Sequence, residues 1–320
     1  MQRRSKRIIF ISFLILCAVT LAGLLKGTVN IPAGELFSNS NLPIFYLRLS
    51  RVLTAIIVGC GLAASGIVLQ AILRNSLAEP YLLGTSSGAG LGAVIAVMLG
   101  LSRMYLPLFG FLGAMASITL VYNLARQQNR ISEQSLILSG VIVSVGLSAI
   151  IVFLISISGN EALHGFTWWL WGSFQVYDIK LLLTVFVLVF LGLICIYFFA
   201  QDLNAIIIGE EEAMHLGVDV EKVKKILILT TALITAAIVC ICGIIGFVGL
   251  IVPHMARQIV GPNHKRLIPA TCVLAGIFMV VCDTLSRTLF PPLEIPLGVI
   301  TAIVGAPAFI FLFKKSQRVK

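Results

Sequence analysis

The chain alternates between long apolar runs and short breaks that contain polar residues, glycine or proline, over its whole length. Most runs have about 18 to 25 residues, enough for an α-helix to cross the roughly 30 Å hydrocarbon core of a bilayer. The pattern predicts ten helical spans, one of them short, and no separate soluble domain. The predicted spans are 8–26, 47–70, 81–99, 106–125, 134–157, 179–200, 225–242, 247–260, 267–289 and 297–313.

Composition supports a membrane location. Of the 320 residues, 59% are hydrophobic and 11% are charged, whereas a soluble globular protein has roughly 25% charged residues. The fold class that follows is an all-α integral membrane protein with one transmembrane domain over residues 1–320. Its first apolar run is longer than the core of a signal peptide, about 7 to 15 residues, and is therefore predicted to be an uncleaved span.

The distribution of lysine and arginine orients the spans. Ten spans place both termini on the same side, and 17 of the 23 basic residues fall on that side. Basic residues accumulate on the cytoplasmic side of membrane proteins, so the N and C termini are predicted to be cytoplasmic. The net charge of +10 then reflects topology and attraction to anionic lipid. The charge therefore gives no reason to expect a nucleic-acid partner.

The chain lacks the motifs of an enzyme. It contains no GxxxxGK[ST] phosphate loop, no HExxH pair and no GxSxG turn. The clearest carboxylate within a span is Asp283, and Arg287 follows one helical turn later, where the two side chains can pair. An ion-driven transporter usually carries more ionisable groups within the membrane. We therefore expect a membrane transport subunit whose energy comes from another protein.

The largest internal cytoplasmic segment is 201–225, with the sequence QDLNAIIIGEEEAMHLGVDVEKVKK. Short apolar stretches flank Gly209 and Gly217, and an acidic run, Glu210–Glu212, lies between them. One interpretation is a solvated loop whose carboxylates cap a helix start. The other is a pair of short helices with a sharp turn between them, shaped to fit a groove on a partner protein.

Several segments, in this order and spacing, resemble the FecCD-type permeases, the membrane subunits of type II ABC importers for iron-siderophores, haem and cobalamin. The resemblance covers nearly the whole chain. The segments that carry it are 47–53 (LRLSRVL), 66–70, 74–80 (RNSLAEP), 83–89 (LGTSSGA), 171–173 (WGS), 209–217, 246–257 (GFVGLIVPHMAR), 283–287, 294–299 (EIPLGV) and 305–307 (GAP).

The resemblance implies the type II importer permease fold and a dimer of ten-span subunits, most simply a homodimer, with the substrate path at the interface. Two cytoplasmic ATPases, which bind ATP and Mg²⁺, would grip the segment between the two glycines, and an extracytoplasmic binding protein would deliver the cargo. This chain itself would bind no cofactor or metal. It would lie in the cytoplasmic membrane of a bacterium or archaeon. The implied ATPase-coupling residues are Gly209, Glu210, Glu211, Glu212, Ala213, Met214, His215, Leu216 and Gly217.

The cargo is the least determined property. The resemblance favours an iron-siderophore-type chelate, with cobalamin or haem as alternatives in the same importer class. A different possibility is an ion-coupled secondary transporter, in which Asp283 would bind the coupling ion.

Arg48, Arg51 and Arg287 lie at the outward ends of predicted spans. Long basic side chains at such positions often extend to the membrane interface. In proteins that this chain resembles, arginines there pair with glutamates of the binding protein, and charge-assisted bidentate contacts suit docking. We expect Arg51 to be the first of the three to do so, because Asp283 competes for Arg287.

Three further segments have mainly structural interpretations. In 74–80, Asn75 and Glu79 are predicted to cap neighbouring helix ends, with a contact to the ATPase as the alternative. The glycine- and serine-rich stretch 83–92 is predicted to permit close helix packing, or else to line the path.

The third segment contains Trp168, Trp169 and Trp171, with His164. These residues are expected to anchor an outward loop at the headgroups, although a role in cargo binding or docking stays open.

The motif PHxxR closes the short span at 247–260. His254 and Arg257 are three residues apart and share a helix face. Proline is favoured at the first helical position, which predicts that Pro253 begins the helix. No second histidine or carboxylate lies nearby in sequence, so the motif is interpreted as a structural helix start close to the coupling region and not as a metal site.

Overall fold

The computed structural model describes residues 2–29, 31–35, 38–127, 130–158, 169–175 and 178–317. Within these ranges the chain forms twelve α-helices, three short 3₁₀ helices and one pair of two-residue strands, Arg126–Gln127 and Arg130–Ile131. The α-helices are α1 (Gln2–Leu25), α2 (Leu42–Ile72), α3 (Thr85–Met98), α4 (Leu106–Ala125), α5 (Glu133–Ile157), α6 (Ile179–Phe198), α7 (Ala200–Ile208), α8 (Glu210–His215), α9 (Val220–Cys242), α10 (Val248–Val260), α11 (His264–Thr288) and α12 (Leu297–Gln317).

The ten predicted spans are confirmed as helices. Seven helices in the described ranges are long and apolar enough to cross a membrane, and three shorter apolar helices, α3, α10 and α12, supply the others. The two remaining helices, α7 and α8, fall within the predicted segment 201–225 except for the first residue of α7, Ala200. Observed boundaries differ from the predicted ones by a few residues, because several helices continue into polar sequence beyond their apolar runs.

Polar side chains set the starts of four helices. Ser132, Asp178, Asp219 and Asn263 each precede a helix and accept a hydrogen bond from a backbone N–H of its first turn. These N–H groups have no partner within the helix, so a side-chain oxygen at the preceding position satisfies them. The caps fix the residue at which each of these four helices starts.

Helix α2 is the centre of the bundle. Most of its length is buried, whereas α1 and α5 are exposed along most of theirs and present apolar side chains outward. Close approach depends on glycine: a Cβ atom on Gly66 would lie 2.0 Å from the carbonyl oxygen of Gly249. Since lipid is as apolar as leucine, backbone proximity and van der Waals contact hold such helices together.

The glycine-rich stretch 83–92 packs α3 tightly against α4. A Cβ atom on Gly92 would lie 2.0 Å from the carbonyl oxygen of Phe109, and one on Gly88 would lie 2.4 Å from that of Gly113. The prediction of close helix packing here is confirmed. Glycine at Gly84, which has a φ of 75°, also allows the turn that starts α3.

The prediction that Pro253 begins a helix is wrong. Helix α10 starts at Val248, and Pro253 lies in its interior. A proline there removes the N–H that would bond to the carbonyl four residues earlier, which is that of Gly249. The side chain of Gln70 on α2 supplies the missing donor, with its Nε2 atom 3.1 Å from the Gly249 oxygen. A distant residue therefore makes the proline tolerable.

Candidate functional site

The first group of candidate residues forms a two-helix element between α6 and α9. Helices α7 and α8 are separated only by Gly209, whose extended backbone (φ 166°, ψ 151°) breaks the helical path. Gly217, with a φ of 83°, turns the chain toward α9. The alternative of two short helices is thus the one that the structure adopts.

One side of helix α8 is buried against the rest of the molecule, and the other side is exposed. Ala213 is completely buried, whereas Met214, His215 and Leu216 are exposed, as are Glu211 and Glu212. Ile208 at the end of α7 adds a further exposed apolar side chain. Exposed apolar groups on a rigid element are typical of a surface that binds a partner.

A buried lysine anchors this element to the rest of the molecule. Lys224 on α9 is only 1% exposed, and its Nζ atom donates to Glu210 Oε1 at 2.6 Å and to the carbonyl oxygen of Ile131 at 3.2 Å. A buried ammonium group needs such partners, because an unpaired buried charge is strongly unfavourable. The ion pair therefore fixes the start of α8 against α9 and the turn before α5.

An acidic groove of about 620 Å³ lies beside α8. Its lining includes five glutamates, one of which, Glu133, forms an ion pair with Arg74. That hydrogen bond raises the pKa of the Arg74 guanidinium. The residues that line the groove are Arg74, Ile131, Ser132, Glu133, Gln134, Ile208, Gly209, Glu210, Glu211, Glu212, Met214 and Glu221.

The segment between α2 and α3 is joined to the start of α10. Asn75 Oδ1 accepts from the N–H of Leu77, which forms a local turn. Glu79 accepts from the backbone N–H of Phe247, the residue that precedes α10, and burial raises the pKa of its carboxyl group. Glu79 therefore caps a neighbouring helix, as predicted.

The second group lies at the opposite ends of α2 and α11. The three arginines predicted for docking, Arg48, Arg51 and Arg287, are all buried, with 4%, 9% and 3% of their surface exposed. Arg48 donates to the backbone carbonyls of Leu24 and Leu25 at 3.0 and 2.9 Å. It therefore holds the end of α1 against α2, which the sequence pattern did not indicate.

Asp283 is the centre of this arginine cluster. Its Oδ2 atom lies 2.8 Å from Arg287 Nη2, which confirms the predicted pairing one helical turn apart. Its Oδ1 atom accepts from Arg51 Nε at 3.1 Å. Arg287 also donates to the carbonyl oxygens of Gly23 and Lys26. The carboxylate thus serves two arginines from two helices.

A second carboxylate, Glu294, completes the cluster and was assigned no role from sequence. Both of its oxygens lie 2.9 Å from Arg51 Nη1. The signal that could have found it is the segment EIPLGV, which carries the only acidic residue between α11 and α12. Docking through the three arginines stays a prediction, since each of them is already bonded within this chain.

The third group is the PHxxR motif. Arg257 on α10 donates from Nη2 to Gln70 Oε1 at 3.2 Å, while the Nε2 of His254 lies 3.2 Å from that of Gln258 in the next turn. Gln70 thus connects Arg257 to the Gly249 carbonyl that Pro253 leaves without its usual donor. These contacts give the motif a structural role at the crossing of α2 and α10.

One predicted group falls partly beyond the described ranges. His164 and Trp168 lie outside them. Trp169 contacts the α3–α4 pair at Gly110, and the carbonyl oxygen of Trp171 accepts from the N–H of Gly298 at 2.9 Å. The segment 169–175 therefore lies against the start of α12.

Comparison with known proteins identifies the class of this chain. The model of the FecCD transport family matches residues 13–315, so the chain belongs to that family. It is an ABC importer permease.

Individual relatives are named for different transported compounds. A cobalamin import system permease from Halobacterium salinarum is 39% identical over 85% of this chain and 73% of its own. A hemin transport system permease from Yersinia pestis is 36% identical over 85% of this chain and 83% of its own. Other relatives are named as iron(III)-dicitrate and molybdate permeases.

A solved structure has the same fold. It is described as an inward-facing conformation of a metal-chelate type ABC transporter, and it superposes with a TM-score of 0.89 at 34% identity, over 97% of this chain and 99% of its own. The predicted type II importer permease fold is confirmed.

Proposed function

We propose that this chain is the membrane subunit of an ATP-driven importer that carries an iron-siderophore-type chelate into the cytoplasm. Two copies of the chain form the path at their interface. Two cytoplasmic ATPase subunits bind ATP and Mg²⁺, and an extracytoplasmic binding protein delivers the cargo. The family membership supports the class of transporter, and helix α8 is the observation that carries the coupling to an ATPase.

Helix α8 is suited to transmit movement because one of its sides is fixed and the other is exposed. Its buried side is held by Ala213 and by the ion pair between Glu210 and Lys224, while Met214 and Leu216 are free to enter a groove on a partner. A short rigid helix with an apolar tip transmits displacement better than a solvated loop, because packed elements shift as units. ATPase closure would therefore move α7 and α8, and through them α9.

A second connection leads from the same element to α11. Asn204 Oδ1 on α7 accepts from the N–H of His264 at 2.9 Å and lies 2.7 Å from its Nδ1 atom. Helix α11 carries Asp283 and Arg287 at its other end. Tilting of α7 would therefore reach the arginine cluster along a single helix of 25 residues.

The cargo assignment is the finer part of the proposal. Relatives are named for cobalamin, haemin, iron(III)-dicitrate and molybdate, so their names do not single out one cargo. An iron-siderophore-type chelate is proposed, with cobalamin or haem as alternatives. An ion-coupled carrier is disfavoured, because Asp283 is already engaged by two arginines and does not offer a free carboxylate to a cation.

The coupling role can be tested in proteoliposomes that contain the permease and its ATPase. Deleting Ala213–Gly217 should abolish ATP-driven uptake of a ferric chelate while the chain still inserts. The double change Met214→Asp and Leu216→Asp should do the same, since it places charge on the proposed contact. Met104→Asp is a matched control, because Met104 is also highly exposed but lies in the loop between α3 and α4. Normal uptake by the deletion would contradict the proposal.

A further inference from the structure

Arg51 holds two carboxylates that differ sharply in exposure. Its Nε and Nη2 atoms both lie 3.1 Å from Asp283 Oδ1, and its Nη1 atom contacts both oxygens of Glu294 at 2.9 Å. The Asp283 side chain is fully buried, whereas that of Glu294 is 27% exposed. One edge of the guanidinium is therefore fixed inside the protein, and the other faces a carboxylate at the surface.

Asp283 cannot leave its position without a large penalty. It also neutralises Arg287, whose Nη2 atom lies 2.8 Å away and whose guanidinium is buried. Removing this carboxylate would take from Arg287 the acidic group it pairs with and leave Arg51 with Glu294 alone, both in buried positions, which is strongly unfavourable. The Asp283 side of Arg51 is thus a permanent anchor.

Glu294, in contrast, can be exchanged. Its side chain is 27% exposed, so a carboxylate from outside the chain has access to the side of Arg51 that Glu294 occupies. The cluster also has spare positive charge: Arg48, Arg51 and Arg287 face two carboxylates, Asp283 and Glu294. Arg48 is bonded to backbone carbonyls, which leave its charge uncompensated. This surface therefore attracts an acidic partner.

Glu294 also connects separate parts of the outward end. Its Oε2 atom accepts from Gln175 Nε2 at 2.9 Å, so it bridges α2 and the segment 169–175. Two cavities, of about 280 and 450 Å³, are both lined by Arg51, Gln175 and Glu294. Glu294 is therefore one of three side chains common to the lining of both cavities.

We propose that Glu294 is a displaceable internal carboxylate that occupies Arg51 in the undocked permease, and that an acidic side chain of the binding protein replaces it on docking. The proposal rests on the importer function above and adds a residue and a step to it. Exchange of one carboxylate for another keeps Arg51 paired throughout. It also frees Glu294 from Gln175, so docking would change the lining that the two cavities share.

The proposal divides the three arginines by role. Arg51 Nη1 is the exchange site. Arg48 and Arg287 hold the end of α1 through the carbonyls of Leu24, Gly23 and Lys26, and they contribute charge without giving up their own partners.

The test measures the affinity of the binding protein for the full permease–ATPase complex in nanodiscs. The probe is the cargo-free, fluorescently labelled binding protein that supports ATP-driven uptake by the unaltered complex. Glu294→Gln removes the competing charge and should lower the Kd by about fivefold to tenfold. Arg51→Gln should raise the Kd, and the double variant should behave like Arg51→Gln alone. Glu35→Gln, at an exposed outward glutamate, is the matched control and should leave the Kd unchanged.

A second variant guards against misfolding of the first. Gln175→Leu removes one of the contacts that hold Glu294 but leaves both charges in place, so it should lower the Kd in the same direction by a smaller factor. A Kd that is unchanged or raised in both Glu294→Gln and Gln175→Leu would overturn the exchange. An unchanged Kd in Arg51→Gln would also overturn the exchange. ATP-driven uptake by the unaltered complex would in that case show that the importer function itself stands.

Discussion

At the residue scale, the most consequential group is Asp283. It lies within helix α11, it is completely buried, and two arginines from different helices depend on it. In a secondary carrier Asp283 would bind the coupling ion, whereas in an importer it would be the structural centre of the outward end. The two roles differ in what happens when the charge is removed.

Asp283→Asn should destabilise the protein strongly, by about 3–5 kcal/mol, because Arg51 and Arg287 lose their shared partner in a buried site. Thermal unfolding of the detergent-solubilised protein measures the effect. Asp178→Asn is a suitable control, since asparagine caps a helix as well as aspartate. An Asp283→Asn protein that keeps its stability but loses transport would instead favour the ion-coupled carrier.

Glu79 provides a pH-dependent test. Burial raises the pKa of its carboxyl group above the ordinary value of 4.5, so the folded protein holds this proton more tightly than the unfolded chain. The ionised carboxylate therefore costs stability, and the cost grows as the pH rises from 4.5 through the raised pKa. Glu79→Gln keeps an acceptor for the Phe247 N–H and removes the charge. The variant should be more stable than the unaltered protein near neutral pH and equal to it below pH 4.5 in thermal unfolding. A stabilisation that is independent of pH would contradict the assignment.

At the element scale, the crossing of α2 and α10 explains the PHxxR motif. Gly66 and Gly249 bring the helix backbones together, and Gln70 bonds to the carbonyl that Pro253 leaves free. The motif is therefore part of a helix crossing that needs a partner 179 residues away in sequence.

Gln70→Leu should destabilise the protein by about 1–3 kcal/mol, because the Gly249 carbonyl and Arg257 lose a buried partner. Pro253→Ala restores the backbone N–H that bonds to this carbonyl, so the penalty of Gln70→Leu should be smaller in that background. A double-mutant cycle by thermal unfolding measures the coupling. Strictly additive effects would show that Gln70 does not compensate for the proline.

Gly66→Ala should prevent α2 and α10 from approaching, since its Cβ would lie 2.0 Å from the Gly249 oxygen. We expect loss of folded protein after detergent extraction, measured by size-exclusion chromatography. Gly146→Ala on α5 is the control, because a Cβ there meets no atom within 4 Å. Equal yields from the two variants would rule out the close crossing.

Helices and contacts could be predicted from the sequence where residues close together in the chain determine them. Apolar runs gave the ten spans, and the spacing of Asp283 and Arg287 gave their pairing, because both depend on neighbours along one helix. Pro253 was misplaced because a proline in the first turn and one inside a helix look alike locally. Only the position of Gln70 in three dimensions distinguishes them.

The outward cluster shows the same limit. Arg51 and Asp283 are 232 residues apart, and Arg51 and Glu294 are 243 apart. The sequence could mark each as a charge at the end of a span, but not that they meet. Lys224 is similar: it reads as one of several cytoplasmic basic residues, yet it is the buried anchor of α8.

At the scale of the whole molecule, the chain has a polar element at each end and an apolar bundle between them. Helix α8 is anchored at one end, and the arginine cluster at the other. Helix α11 contacts α7, the helix that precedes α8, through His264 and Asn204, and it forms part of the arginine cluster through Asp283. This arrangement suits a subunit that receives energy on one side and a delivery protein on the other.

The measurement that tests this most directly is purification of the tagged chain from membranes in mild detergent, followed by transport in vesicles. We expect one nucleotide-binding subunit per permease to co-purify, its recovery to depend on Ala213–Gly217, and uptake of a ferric chelate to require ATP. A chain that purifies alone and transports cargo into vesicles without ATP would contradict the account and identify a secondary carrier.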